Sequence, residues 1–155
     1  MKKTNAMRLL DRDNMPYTAY EYEVIEGKTD GVTVAKSINI EAERVYKTLV
    51  TIGASRNYYV FVIPVAKELD LKKAAKAAGE KKIDMIPMKD LLPTTGYIHG
   101  GCSPIGMKKQ FKTYIDSSCK THETILVSGG IRGIQLELNV EALVGITGAE
   151  IVEVV

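Results

Sequence analysis

A chain of 155 residues that is 45% hydrophobic and 26% charged, with a net charge of +2, has the profile of a globular domain long enough to bury a substantial core. No apolar run approaches the ~20 residues that span a bilayer, and the start, MKKTNAMRLLDRD, lacks the apolar centre of a signal peptide, so no membrane association and a cytoplasmic location are expected. Two cysteines, Cys102 and Cys119, do not make a disulfide framework, and His99 and His122 stand outside any zinc-ligand spacing, so no metal site is expected.

In chain order, residues Thr4 to Asp13 are predicted helical, with Thr4 or Asn5 as cap, an apolar stripe of Met7, Leu9 and Leu10, and Pro16 beyond the end. Tyr17 to Ile25 alternates aromatic and polar residues like a strand with one wet face. After a loop through Gly27, Asp30 and Gly31, a short helix is expected over Thr33 to Ile38, capped by Thr33. Val45 to Ile52 and Tyr58 to Ile63 read as strands joined by the hairpin loop 53–57, and Pro64 closes the second. Leu69 to Ala78, rich in Ala and Lys, is the clearest helix, with Gly79 just past its end. Met88 to Leu92 reads as one more turn before Pro93. Beyond the glycine-rich stretch 96–106, strands are expected over Gln110 to Ile115, Thr124 to Val127 and Ile134 to Leu138. A short helix from Asn139 and a strand over Ala149 to Val155 follow. Strands cluster behind short loops with few βαβ units, which predicts a single α+β domain over residues 1–155, a small mixed β-barrel or sheet surrounded by helices.

Three stretches carry possible chemistry. In RVYKTLV, Lys47 shares a strand face with Val45 and Leu49, and the opposite face is also largely apolar. It is either an edge-strand lysine whose ammonium reaches water or a pocket lysine that holds a charge or serves as a base. In GGCSPIG, residues 100–106, the glycines permit positive φ and close approach to the main chain. That loop is either a surface turn or a cradle of amides for an anion or oxyanion. Cys102 within it is a candidate nucleophile with no discernible His-Asp or His-Asn partner. VSGGIRG, residues 127–133, is a second such loop, in which Ser128 offers a hydroxyl. Lysines 72, 73, 76, 81 and 82, and 108, 109 and 112, form either solvated faces or contacts to a phosphate backbone.

The order VYKTLV (45–50), PVAKELDLKKAAKAAGEKKIDM (64–85), TGYIHGGCSPIGMKK (95–109) and VSGGIRGIQLEL (127–138) resembles the YbaK/EbsC family over nearly the whole chain. That family comprises free-standing aminoacyl-tRNA deacylases and the editing domain of some prolyl-tRNA synthetases. The resemblance is to the branch that clears cysteine mischarged onto proline tRNA. It implies a small mixed β-barrel and hydrolysis of the ester joining an amino acid to the terminal ribose of tRNA. The partners implied are the acceptor end of a mischarged tRNA and prolyl-tRNA synthetase. The family's indispensable lysine maps onto Lys47, its glycine loop onto Gly100, Gly101, Ser103, Pro104 and Gly106, its pocket tyrosine onto Tyr22, and its serine, with the glycine that follows, onto Ser128 and Gly129. In the cysteine branch the substrate's own thiol attacks the ester, which implies no enzyme nucleophile, metal or cofactor. One departure stands out: Gln135, in GIQLEL, replaces an aspartate of the family's GLDIEL, and an amide supplies hydrogen bonds but no negative charge. The residues leave two other readings open: a tRNA- or nucleotide-binding module without catalysis, and a deacylase for another amino acid.

Overall fold

A computed structural model describes residues 2–28 and 30–155. Its helices of seven or eight residues start where a side chain accepts from the free backbone N–H groups of the first turn. Helix α1 (Asn5–Arg12) starts at Thr4, whose hydroxyl accepts from Met7 N at 3.2 Å, and buries Ala6, Met7 and Leu10. Strand β1 (Tyr17–Glu21) follows, and then α2 (Gly31–Ser37). Asp30, not the expected Thr33, caps α2, and its carboxylate accepts from both Thr33 N (3.0 Å) and Thr33 Oγ1 (2.7 Å). The helix therefore starts two residues earlier than its sequence suggests.

Strands β2 (Tyr46–Gly53) and β3 (Tyr58–Pro64) form the expected hairpin. Helix α3 (Leu71–Ala78) is capped by Asp70, which accepts from Lys72 N and Lys73 N at 3.0 Å each, and ends at Gly79 with φ of 70°. A three-residue strand, β4 (Ile83–Met85), and the short helix α4 (Leu91–Thr95) come next. Pro93 lies within the first turn of α4, where a missing N–H breaks no intrahelical bond. The chain closes with β5 (Lys112–Asp116), β6 (Thr124–Ser128), β7 (Ile134–Asn139), α5 (Val140–Thr147) and β8 (Glu150–Val152). Three predicted strands are shorter than expected: β1 stops at Glu21 rather than Ile25, β5 starts at Lys112 rather than Gln110, and β8 covers only residues 150–152 of 149–155.

The strands form a three-stranded antiparallel sheet, β1-β7-β6, and a five-stranded mixed sheet, β4-β2-β3-β5-β8. In the second, β3 runs parallel to β5 and β5 parallel to β8. The sheets meet at a parallel bridge between Val45 and Leu126. The main core lies among β2, β3, β6, β7, α1 and α5, where Tyr46, Val50, Val60, Val62, Ile125, Val127, Leu136 and Leu143 pack together. On the other face of the five-stranded sheet, Phe61, Ile63 and Tyr114 pack beneath Ala74 and Ala75 of α3. This alternation along β3 follows from the two-residue period of a strand. Among the described residues no helix is long and apolar enough to cross a membrane.

Charged side chains tie the sheets together next to the bridge. Arg44, in a one-turn 3₁₀ helix at residues 42–44, pairs with Glu137 of β7 and donates to Thr124 of β6 at 2.8 Å. Glu137 also accepts from Thr124 and from Tyr20 of β1. The Thr124 hydroxyl, with Tyr20 and Arg44, holds the Glu137 carboxyl below its ordinary value. A depressed carboxylate contributes stability that is present above its unfolded value, about 4.3, and is lost as pH falls through the lower folded value. Glu137→Gln should therefore lower the Tm at pH 7 by roughly 2–4 °C. The gap to wild type should close as the pH is taken below about 4, and thermal melts from pH 7 to 3 that show a constant gap would refute this account.

Candidate active site

The Val45–Leu126 bridge governs what happens next along β2. A strand edge takes one neighbour at a time. Because β3 occupies one edge of β2, β6 and β4 must share the other. Strand β6 lies beside Val45, and β4 pairs only with residues 51–53. Between them no strand pairs with that edge at residues 46–49 among the described residues. A cavity of about 360 Å³ opens in the gap, and consecutive residues of β2, Val45 to Leu49, form one wall.

Lys47 stands on that wall, half-buried. Ile63 faces it across the hairpin ladder, and no carboxylate lies within ion-pair distance of its ammonium among the described residues. It is also the only Lys or Arg lining the cavity among the described residues.

The opposite wall is built from β6 and β7. Ser128 and Gln135 are directly opposed in that ladder, are 8% and 7% exposed, and both line the cavity. The Ser128 hydroxyl accepts from Gly130 N at 3.2 Å, so its own proton is free to be donated. Gln135 Oε1 is buried without a partner, and so is Thr48 Oγ1, on the β2 wall. Tyr22 extends the third side of this sheet, where its N–H donates to Gly133 O at 2.9 Å. The remaining lining includes Asp30 and Gly31 at the start of α2, Leu91 of α4, His99, Gly100 and Cys102.

Of the ten residues singled out in the sequence, the cavity thus brings together Lys47, Tyr22, Gly100, Ser128 and Gln135. The other five, Gly101, Ser103, Pro104, Gly106 and Gly129, lie outside its lining and hold the loops in place. Ser103 is fully buried, and its hydroxyl accepts from Ile105 N at 3.2 Å. Pro104 is buried beside it. Gly106 O accepts from Asn5 Nδ2 at 3.3 Å, which pins the loop to α1. Gly129 N donates to Ile134 O at 2.9 Å, closing the β6–β7 turn. At Gly101 a Cβ would sit 3.1 Å from the backbone of Ile131 and Arg132. The two glycine-rich loops therefore pack main chain against main chain, and only glycine allows it. The Gly101 amide is spent on Ile98 O at 3.0 Å, which leaves fewer loop amides for an anion than the glycine content suggests.

Cys102 is 8% exposed, and burial pushes its thiol up to about 12. A thiolate nucleophile at neutral pH needs the opposite shift. Tyr46 is likewise raised to about 12 by burial, and its hydroxyl is engaged with Ser118 Oγ at 2.7 Å. No cluster of three His, Cys, Asp or Glu side chains suited to a metal ion occurs among the described residues. The site is therefore a partly apolar cavity with one cation, one carboxylate at its α2 side, and neutral hydrogen-bonding groups opposite the cation. Asp30, His99 and Leu91 were not anticipated as lining, because each comes from a loop or helix end far from Lys47 in sequence.

Comparison with known proteins gives this geometry a context. Residues 26–146 match the family model of the aminoacyl-tRNA editing domain. The "Putative Cys-tRNA(Pro)/Cys-tRNA(Cys) deacylase EbsC" of Enterococcus faecalis is 49% identical over 153 residues, covering 99% of this chain and 93% of that protein. The crystal structure of "a putative trans-editing enzyme for prolyl tRNA synthetase" superposes with a TM-score of 0.81 at 19% identity, over 99% of this chain and 98% of the other. That of "hypothetical protein APE2540" gives 0.86 at 20% identity, over 95% and 96%. The solved structures share the fold. With the family model spanning most of the chain and a relative at 49% identity over nearly all of it, the chain belongs to the aminoacyl-tRNA editing domain family, enzymes that hydrolyse the ester between an amino acid and its tRNA.

Proposed function

We propose that this chain clears cysteine mischarged onto proline tRNA, with the substrate's thiol as the nucleophile and Lys47 as the charge that stabilises the reaction. The observation that carries the reading is the cavity's chemistry: among the described residues it is lined by a single lysine, and the one thiol on its wall, Cys102, is raised rather than lowered. Ser128 lacks a hydrogen-bonded general base.

The step balances without any further reagent. The cysteinyl sulfur forms a bond to its own ester carbonyl carbon, the carbon–oxygen bond to the terminal ribose breaks, and the thiol proton passes to the ribose oxygen. Water then opens the resulting thiolactone to free cysteine. An ester held with its thiol against the carbonyl gains up to about 7–11 kcal/mol over an untethered reaction in the best intramolecular cases. The carbonyl oxygen becomes negative in the tetrahedral stage, and a half-buried ammonium stabilises that charge more than a fully hydrated one would. In this reading the half-buried Lys47 provides that charge, Tyr22 and Gly100 border the substrate, and Ser128 donates a hydrogen bond to it. Gly101, Ser103, Pro104, Gly106 and Gly129 act indirectly, by fixing the two loops. The basic residues after the glycine loop, Lys108, Lys109 and Lys112, are exposed and suited to the phosphates of an acceptor stem. A domain of this size has few elements with which to read an anticodon, so the choice of tRNA is assigned to a partner, prolyl-tRNA synthetase.

Two substitutions test the assignment. Lys47→Ala should reduce kcat/KM for deacylation of Cys-tRNA(Pro) by about 10²-fold or more, the loss typical of an oxyanion-stabilising group, with an unchanged Tm. Wild-type rates in the purified variant would remove Lys47 from the mechanism. Cys102→Ala should keep activity within about threefold of wild type, because a thiol at about 12 contributes almost no thiolate at pH 7. A loss beyond about tenfold in a folded Cys102→Ala protein would instead make that thiol part of the chemistry.

A further inference from the structure

We propose that Arg132 holds the phosphate of the nucleotide that carries the acyl group, the last internucleotide link of the tRNA, at the mouth of the cavity. The inference rests on the functional reading above and adds a residue that anchors the leaving part of the substrate. Arg132 is the charged residue of VSGGIRG, and it is exposed, just outside the cavity lining. Its Nε–H donates to His99 O at 2.8 Å, and both His99 and the adjoining Gly100 line the cavity. Among the described residues its two terminal nitrogens have no hydrogen-bond partner, and no carboxylate lies within ion-pair distance of them.

Backbone bonds fix the turn that carries this side chain. On either side of Arg132, Gly129 N donates to Ile134 O and Tyr22 N to Gly133 O, each at 2.9 Å. Gly100 is what admits the side chain: its φ is +85°, and a Cβ there would lie 3.0 Å from Arg132 Nε. The N–H groups of a guanidinium form a rigid planar fork, so the Nε bond to His99 O sets the orientation of the whole group. It leaves the end-on edge, the two terminal nitrogens, for a ligand. That edge matches the two-pronged contact arginine makes with a phosphate. An arginine already held at Nε also loses less freedom when it binds.

The chemistry of the substrate decides what that edge meets. The ester oxygen sits on the terminal ribose, and only the sugar separates it from the phosphate on the 5′ carbon. With the acyl group in the cavity beside Lys47, that phosphate must lie just outside the lining. Charge selects the side on which it leaves. Asp30, which the Thr33 hydroxyl holds below its ordinary value and hence anionic, opposes a phosphate at the α2 side, whereas Arg132 attracts one beside His99 and Gly100. The phosphate keeps its charge while the ester is cleaved, so the contact is equally strong before and during the reaction. Such uniform binding lowers KM and leaves kcat unchanged.

Non-hydrolysable probes test this apart from the ester chemistry. They are 3′-cysteinylamino-3′-deoxyadenosine and the same compound bearing a 5′-methylphosphate, which carries the single charge of an internucleotide link, titrated by calorimetry at low salt. Wild-type protein should bind the phosphate-bearing probe roughly tenfold more tightly, about what one charge-assisted contact supplies. In Arg132→Gln that ratio should fall close to one, with affinity for the phosphate-free probe within about twofold of wild type, as for an exposed substitution. With Cys-tRNA(Pro), the variant should raise KM roughly tenfold and leave kcat near the wild-type value. A wild-type ratio near one, or an unchanged ratio in Arg132→Gln, overturns the proposal. Equal weakening of both probes overturns it too, because Arg132 then only clamps the loop. Deacylation of Cys-tRNA(Pro) by the same wild-type sample separates the two readings. Turnover without a phosphate preference sinks the anchor alone, whereas a protein that neither turns over nor binds either probe sinks the editing function with it.

Discussion

The site depends on a conflict over one strand edge. Strand β2 gives one side wholly to β3 and must divide the other between β6 and β4. Had β6 continued beside β2, the two sheets would have merged and no cavity would exist at residues 46–49. The departure is held by the charged knot of Arg44, Glu137, Thr124 and Tyr20, which joins β1, β6, β7 and the lead-in to β2 immediately before the split. Several oriented partners around one carboxylate make such a group far less replaceable than an exposed surface pair. The cavity is therefore a consequence of topology, with its shape fixed by the same strands that carry its functional side chains.

That arrangement explains the distribution of charge. The arginine closest in sequence to Lys47 is already committed to Glu137, and the carboxylate on the cavity wall, Asp30, also caps α2 through Thr33. Lys47 is left without a carboxylate partner in a half-buried position, while the groups facing it from β6 and β7 are neutral. A salt-bridged lysine would have its field cancelled before a substrate arrived. An unpaired one leaves its field open to an incoming anion.

Much of this was legible in the sequence wherever the signal was local. The hairpin, α3 with its terminal Gly79, and Lys47 as a cation between apolar strand neighbours all follow from patterns within a dozen residues. Predictions failed where non-local contacts decide. Tyr17 to Ile25 reads as one strand, yet β1 ends at Glu21, because its partner β7 begins at Ile134 and only Tyr22 finds a further backbone bond, to Gly133 O in the turn before it. Thr33 was expected to cap α2, but Asp30, placed in the loop before it, takes that position because its carboxylate accepts from two Thr33 groups at once. Strand β4 has three residues and no alternation, and exists because β2 has a free edge to offer at 51–53. The glycine loop was legible as a special loop, but its division of labour was not: only Gly100 and Cys102 line the cavity, and the rest pack against α1 and the 129–133 turn.

The burial of Cys102 bears on why such a cavity can act as a hydrolase with so little apparatus. An aminoacyl ester is already reactive, so the protein needs to add orientation and charge stabilisation more than a strong nucleophile. Had selection favoured an enzyme thiolate, Cys102 occupies a wall position from which to supply it. It lies instead where burial keeps it protonated at about 12, with no neighbouring base and only Thr95 offering weak compensation. A reactive thiolate there would attack any acyl group small enough to enter, correct or mistaken. A site that lends only position and charge leaves the attack to an atom of the substrate or to water. The wall facing Lys47 carries Ser128 and Gln135, and the Gln135 amide offers hydrogen bonds but no negative charge.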